Sequence, residues 1–373
     1  MLRLGIVCHP TYGGSGVVAS ELGLSLADRG YTVHFVSHDR PFRVPKDYPK
    51  TIFHKVDVTS YPLFQYPPYT LALAGKLFEL CKTEKLDVLH VHYAVPHASA
   101  AYLCGQMLGD ARPAIVTTLH GTDITLIGID PSFYEITRFS INQSDCVTAV
   151  SRYLAEETRT DFRIEKDIEV VPNAVDHDVF TPQLRSAEQR ARFAQTDEIL
   201  IGHLSNFRSV KRIPDVVRTF ALIQKRLPAR LLLIGDGVEV EPAKLLAAEL
   251  GILDRVEFLG PVTGVANVLA QLDLFLLPSQ YESFGLAALE AMACGVPVVC
   301  SQAGGIPEVV EHNVSGLLCK VGDYECMAES AVRLLKDPAR RHAMRSAARR
   351  QAVERFPRDT VLEMYEAIYQ RLV

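Results

Sequence analysis

Two blocks of short apolar runs, each run followed by a helical pattern, constrain this chain more than any other feature. In the first block the runs 2–8, 32–37, 88–92, 115–119 and 146–150 have strand length, and helical spacing covers 17–29, 71–83 and 98–108. The pattern pauses at Pro172-Asn-Ala-Val-Asp176 and across the charged, strand-poor stretch 182–197. It then restarts: strands are expected at 199–204, 230–234, 256–259, 272–278 and 296–300, helices at 213–226, 243–250 and 286–293, and a short helix ending at Leu269. Apolar runs without polar alternation are strands buried on both faces, and helices between them mean parallel pairing.

The expectation is therefore an α/β protein with two successive, doubly wound, Rossmann-like units. A length of 373 residues fits two domains. There is no repeat of 20–50 residues and no low-complexity tract. Acidic residues outnumber basic ones, 44 to 39, which argues against nucleic acid as the main partner. Eight scattered cysteines form no Cys-x-x-Cys pair, which excludes a zinc ribbon and suggests thiols in a reducing compartment. No apolar run approaches the ~18–20 residues of a membrane span. The N-terminus reads directly as a strand, with no room for a signal peptide, so the expected location is cytoplasmic.

Ligands of open α/β sheets sit at the carboxyl ends of strands. Four segments at such ends carry chemistry. The loop 9–16 holds Gly13-Gly-Ser-Gly16, whose amides and following helix suit a phosphate, although a merely tight turn would look similar. It is not a Gly-x-Gly-x-x-Gly fingerprint, and Asp39 is the only acidic residue near the end of the second strand. His120-Gly-Thr-Asp123 follows the strand 115–119, so His120 faces a crevice rather than the core. Arg208 and Lys211, three apart where a strand meets a helix, direct two cations toward one anion, most naturally a diphosphate. Glu282-Ser-Phe-Gly-Leu-Ala-Ala-Leu-Glu290 is the sharpest feature. Its second carboxylate lies inside an apolar helix, where burial is costly without hydroxyl partners, and a ribose diol supplies two. The tail 333–358, with nine Lys/Arg against Asp337 and Glu354, reads as a solvated helix face with alanine packing behind it rather than as a polyanion patch.

These features, in this order across nearly the whole chain, resemble the retaining, nucleotide-sugar-dependent glycosyltransferases of family 4, which have the two-Rossmann GT-B fold. Stretches such as Pro10-Thr-Tyr-Gly-Gly-Ser-Gly-Val-Val, Phe64-Gln-Tyr-Pro-Pro-Tyr, His90-Val-His-Tyr-Ala-Val-Pro-His and Thr117-Thr-Leu-His-Gly-Thr-Asp are similar to the branch of that family that glycosylates malate. The resemblance implies transfer of N-acetylglucosamine from UDP-N-acetylglucosamine to L-malate, the first step of bacillithiol biosynthesis. It implies an acceptor-side domain over 1–172, a nucleotide-sugar domain over 173–356, a C-terminal helix from about 357 that packs back on the first, and an active site in the crevice between them. One departure is Pro172-Asn-Ala, where many relatives carry glycine after the asparagine.

By the same resemblance Glu290 holds the ribose, and Arg208 and Lys211 hold the diphosphate with help from the Gly14 loop. Backbone near Val262 meets the uracil. Glu282, with Ser283 and the amides of Phe284 and Gly285, holds the sugar, with His120 beside it and Asn173 near the crevice. His120, Glu282, Arg208 and Lys211 are the expected catalytic set. No metal or cofactor is expected. A dicarboxylate acceptor needs a cation from the first domain. Arg138 is the candidate, with Ser15 and Tyr93 as donors, while an i,i+3 surface pair with Glu135 is an equal reading of Arg138. The expected partners are these small molecules, not nucleic acid or membrane, and a homo-oligomer stays open. Competing readings are a lipid or polysaccharide acceptor, a UDP-sugar epimerase or hydrolase, and a nucleotide-sugar sensor.

Overall fold

A computed structural model describes residues 1–11, 13–59 and 66–373. Tyr12, Phe64 and Gln65 of the quoted stretches lie outside the described residues. The chain divides into two compact units, Met1–Asn173 with Asp359–Val373, and Ala174–Arg358.

The first unit contains β1 (Arg3–Val7), β2 (Thr32–Ser37), β3 (Thr51–Lys55), β4 (Val88–His92), β5 (Ala114–Leu119), β6 (Cys146–Ala149) and β7 (Ile168–Val170). They form one parallel sheet in the order β3-β2-β1-β4-β5-β6-β7. The second unit contains β8 (Ile199–Leu204), β9 (Ala229–Ile234), β10 (Val256–Gly260), β11 (Leu274–Leu277), β12 (Val298–Ser301) and β13 (Gly316–Cys319). These pair in parallel in the order β10-β9-β8-β11-β12-β13. Each sheet therefore reverses its winding once, between β1 and β4 and between β8 and β11. Such a reversal splays the two following loops apart and opens a crevice at the strands' carboxyl ends.

The central strands match the apolar runs because helices cover both their faces. β3, β7 and β13 fall outside the expected set, and all three are sheet edges. An edge strand is short and half-wet: β3 has no fully buried residue, and β7 is three residues long. Neither leaves an apolar run to read. The basic tail forms the helix Pro338–Arg355, which buries Met344, Ala348 and Ala352 on one face.

A ladder of buried imidazoles lines the carboxyl half of β4. His90 and His92, two apart and so on one face, stack with ring centroids 4.5 Å apart. His120 stacks on His92, and their Nδ1 and Nε2 atoms meet at 2.8 Å. His90 is held on both nitrogens, by the Thr118 hydroxyl and the Tyr369 hydroxyl, each at 2.7 Å. Tyr369 belongs to the helix Arg358–Leu372, which Arg29 also clamps through Glu366 at 2.6 Å and Asp359 at 3.0 Å.

Burial drives these rings neutral. His90, His97 and His120 are pushed down to about 3 from the ordinary 6.5, and His92 falls well below it. A base whose folded pKa is depressed stabilises the fold above its unfolded value, and that stability is lost as pH falls. Asp123 works in the opposite sense: burial raises it from 3.8 to about 6, so its share is lost as pH rises through 6 and regained on acidification. Four imidazoles outweigh one carboxyl. The urea midpoint should therefore fall steadily as pH drops from 6.5 toward 3, with each net proton taken up on unfolding costing about 1.4 kcal/mol per pH unit. A midpoint that stays level across that window would contradict the neutral ladder.

Candidate functional site

The loop after β8 turns sharply at Phe207, whose φ of 21° lies in the left-handed region and whose ring is fully buried in the core. Arg208 follows in extended backbone and starts the short turn Ser209–Lys211. A Cβ on Gly235, after β9, would lie 1.9 Å from the Ser205 carbonyl, so that position must be glycine for this loop to seat.

The loop after β11 comes to meet it. The Gln280 amide donates to the Val210 carbonyl at 2.8 Å, and Lys211 Nζ lies 2.6 Å from Glu282 Oε1. The Ser279 hydroxyl donates to the same carboxylate oxygen at 2.9 Å. Both charged side chains are mostly buried, 16% and 12% exposed. A buried pair holds only when extra hydrogen bonds satisfy it, and Ser279 supplies one. Behind this loop the Glu282 carbonyl accepts from the Gly305 amide at 2.8 Å, and a Cβ on Gly304 would stand 1.9 Å from that carbonyl.

From there the chain enters the helix Leu286–Ala293 through Gly285, with φ of 98°. Phe284 beside it is buried, its ring edge-on to Phe356, so it anchors the turn. Glu290 is 7% exposed inside this helix, as the apolar surroundings imply. The structure thus brings Lys211, Glu282 and Ser279 into one cluster, flanked by Arg208, Ser283 and Gly285. Sequence reasoning assigned Lys211 and Glu282 to different parts of a ligand; in the structure they are each other's partners. Arg208 is different: its Nε is buried with no hydrogen-bond partner among the described residues. Val262 follows β10, two strands from β8 in the sheet, and is half-buried.

In the first unit the corresponding strand ends gather aromatic rings. Gly14, with φ of 59°, precedes the helix Ser15–Asp28, and the Ser15 hydroxyl donates to the Tyr93 hydroxyl at 3.0 Å. Tyr93 itself has φ of 94°, a strained value for a non-glycine residue, held by its amide bond to the Thr118 carbonyl. Its ring centroid lies 5.5 Å from His120 and 5.2 Å from His9, and His9 packs on His97 at 4.4 Å. Asp123 fastens this end: its carboxylate accepts from the amides of Ala94, His120 and Gly121 at 2.9–3.1 Å. His9, His97 and the Asp123 clamp escaped residue-by-residue reading. The spacing His92-x4-His97 was the available signal, and it looks like any pair of core histidines.

Arg138 lies on the helix Tyr134–Gln143, 43% exposed and 3.9 Å from Glu135, a loose surface pair, while its Nε is buried without a hydrogen-bond partner among the described residues. Asn173 is buried after β7, and Asp39 is exposed and bonded to the Arg40 amide. Among the described residues no three His, Cys, Asp or Glu side chains are placed to hold a metal ion, and no helix is long and apolar enough to cross a membrane.

Comparison with known proteins agrees with this geometry. Residues 12–179 match the model of Glycosyltransferase Family 4, and residues 185–351 match that of Glycosyl transferases group 1. The chain is 50% identical over 369 residues to N-acetyl-alpha-D-glucosaminyl L-malate synthase of Bacillus anthracis, covering 99% of this chain and 96% of that one. It is 35% identical to D-inositol 3-phosphate glycosyltransferase of Saccharomonospora viridis, covering 95% and 89%. Among solved structures, HepE of Anabaena in complex with UDP and glucose superposes with a TM-score of 0.83 over all of both chains at 20% identity, a likeness of fold. Sucrose-phosphate synthase of Thermosynechococcus elongatus gives 0.84, also at 20% identity. With two parallel Rossmann-like sheets and both family models matched, the chain belongs to the family 4, group 1 glycosyltransferases of the GT-B fold.

Proposed function

We propose that this glycosyltransferase moves N-acetylglucosamine from UDP-N-acetylglucosamine to the hydroxyl of L-malate with retention at the anomeric carbon, the first step of bacillithiol biosynthesis. The observation that carries the donor half is Arg208, half-buried, three residues before Lys211 on the loop at the winding reversal, with an Nε that has no hydrogen-bond partner among the described residues. The identity and full-length match to the malate synthase support the acceptor half.

In this reading the second unit, Ala174–Arg358, is the donor domain, and the first, Met1–Asn173 with Asp359–Val373, is the acceptor side. Glu290 takes the ribose diol, and backbone near Val262 takes the uracil. Arg208 and Lys211 take the diphosphate, with the Gly14 loop. Glu282, Ser283 and the amides of Phe284 and Gly285 take the sugar hydroxyls. Diphosphate binding gives Lys211 a second anion to share with Glu282, which turns the existing pair into a bridge between leaving group and sugar. Charge builds on the diphosphate as the glycosidic bond breaks, and preformed cations stabilise that charge most in the transition state. The acceptor hydroxyl attacks from the same face, and its proton passes to the departing phosphate oxygen. His120, held neutral, acts beside the sugar as a hydrogen-bonding group rather than as a charge. Asn173 completes the set near the sugar.

Malate carries two carboxylates and must be held next to a departing anion, so its pocket needs a cation. Arg138 fills that role in this reading, with Ser15 and Tyr93, whose hydroxyls are already bonded to each other, as donors. The loose contact with Glu135 leaves its guanidinium largely uncommitted.

The direct test is to incubate the full chain with UDP-N-acetylglucosamine and L-malate and read the product by mass and anomeric configuration by NMR. An α-linked malate glycoside is expected; UDP release that is indifferent to malate would favour a hydrolase. Arg208→Ala should lower kcat by ~10²-fold or more, because its charge is needed most as the leaving group departs. A change confined to KM would reduce it to uniform binding. Arg138→Ala should weaken malate by ~1.5–3 kcal/mol, the worth of a charge-assisted hydrogen bond, with donor affinity nearly unchanged. Unaltered malate kinetics would leave Arg138 a surface residue.

A further inference from the structure

The basic helix Pro338–Arg355 presents a second concentration of positive charge that the reaction above does not use. Its outer face, with Gly295 and Pro182, lines a cavity of about 510 Å³, the size of a small-molecule pocket. Four basic side chains line it, His342, Arg345, Arg349 and Arg350, against one acid, Glu354. None of the four makes an ion pair among the described residues. Arg349 donates to the neutral carbonyls of Phe180 and Ala293 at 2.6 Å and His177 at 3.0 Å, so its position is fixed without an ion pair, and Asp178 acts on it only through the longer-range field.

The surroundings add to the excess. Arg185 and Arg190 share the single carboxylate of Asp273, at 2.8 and 2.7 Å, and Arg345 lies within the field of both without a carboxylate of its own. Burial, with repulsion from Arg185, pushes the Arg345 guanidinium below its ordinary pKa, and burial does the same to Arg349. Cations destabilised in this way gain more from an anion than freely hydrated ones do.

The cavity is separate from the cluster at Lys211. Gly295 lies just past the carboxyl end of the helix Leu286–Ala293, whose opposite end starts at Gly285. Eight helical residues span about 12 Å. Gly295 also precedes β12, so the cavity opens at the amino ends of the strands, away from the carboxyl ends where Arg208 and Glu282 sit.

We propose that this cavity is a second anion site, which takes a small molecule bearing a phosphate group and is held chiefly by the guanidinium groups of Arg345 and Arg350, with Arg349 adding positive charge to the wall. Convergent forked donors suit a tetrahedral oxyanion with several acceptor oxygens better than they suit a single carboxylate. The alternating Arg and Ala pattern that resembles an ordinary solvated face serves here to wall a pocket.

The test uses the full chain saturated with UDP, so that the diphosphate position is filled, and titrates inorganic phosphate calorimetrically at about 0.15 M salt, where surface charge is screened. One phosphate per chain should bind. Arg345→Gln and Arg350→Gln should each weaken it about tenfold or more while leaving UDP affinity unchanged, which also reports that the second unit is folded. Arg350 is exposed, so its substitution carries the test even if Arg345→Gln misfolds. Absence of phosphate binding in the UDP-saturated wild type, or equal affinity in the wild type and Arg350→Gln, would overturn the proposal.

Discussion

The ion pair between Lys211 and Glu282 joins the loops that follow two neighbouring strands of the second sheet. One partner follows β8 and the other β11, the strands at which the sheet reverses its winding. Parallel strands leave this point open by construction, because successive crossovers depart to opposite faces. A buried charge pair, with a hydroxyl and a backbone bond beside it, ties the two loops together at that point. Arg208, three residues before Lys211, takes its position from the same turn, and the Gly285 helix start takes its position from the loop that carries Glu282. Breaking one half of such a pair strands the other in low dielectric, a cost of ~3–5 kcal/mol. The same pair therefore bears on the stability of the second unit.

The first unit solves the same geometric problem without a salt bridge. Its reversal lies between β1 and β4, and neutral rings rather than charges occupy the strand ends. Tyr93 sits in a strained backbone conformation at the end of β4, and Asp123 fixes three neighbouring amides. Imidazoles kept neutral by burial provide donors and acceptors without adding charge. The second unit presents charged side chains at the corresponding ends. The two sheets share a topology and differ in the polarity of what they present.

Much of this was legible in the chain itself, for a physical reason. Central strands of a parallel sheet are buried on both faces, so 32–37, 88–92 and 199–204 appear as apolar runs and coincide with β2, β4 and β8. The edge strands β3 and β7 are half-solvated and short, and β13 is buried but only four residues long, too short a run to stand out from a loop. Arg208, Glu282 and Glu290 stood out because charge at a strand end or in an apolar helix is costly without a partner. The partnership of Lys211 with Glu282 did not, since 71 residues separate them and only the sheet order brings them together. His9 and His97 were equally silent: a buried neutral histidine has the sequence signature of any core residue.

The central claim is that Lys211 and Glu282 act as one element in donor binding. A double-mutant cycle on UDP-N-acetylglucosamine affinity, with Lys211→Met, Glu282→Gln and the two combined, measures it directly. The account predicts strong non-additivity, a coupling of ~1 kcal/mol or more, with the double substitution losing less than the sum of the single ones. Additive losses would mean that each side chain meets the donor independently, and would contradict it.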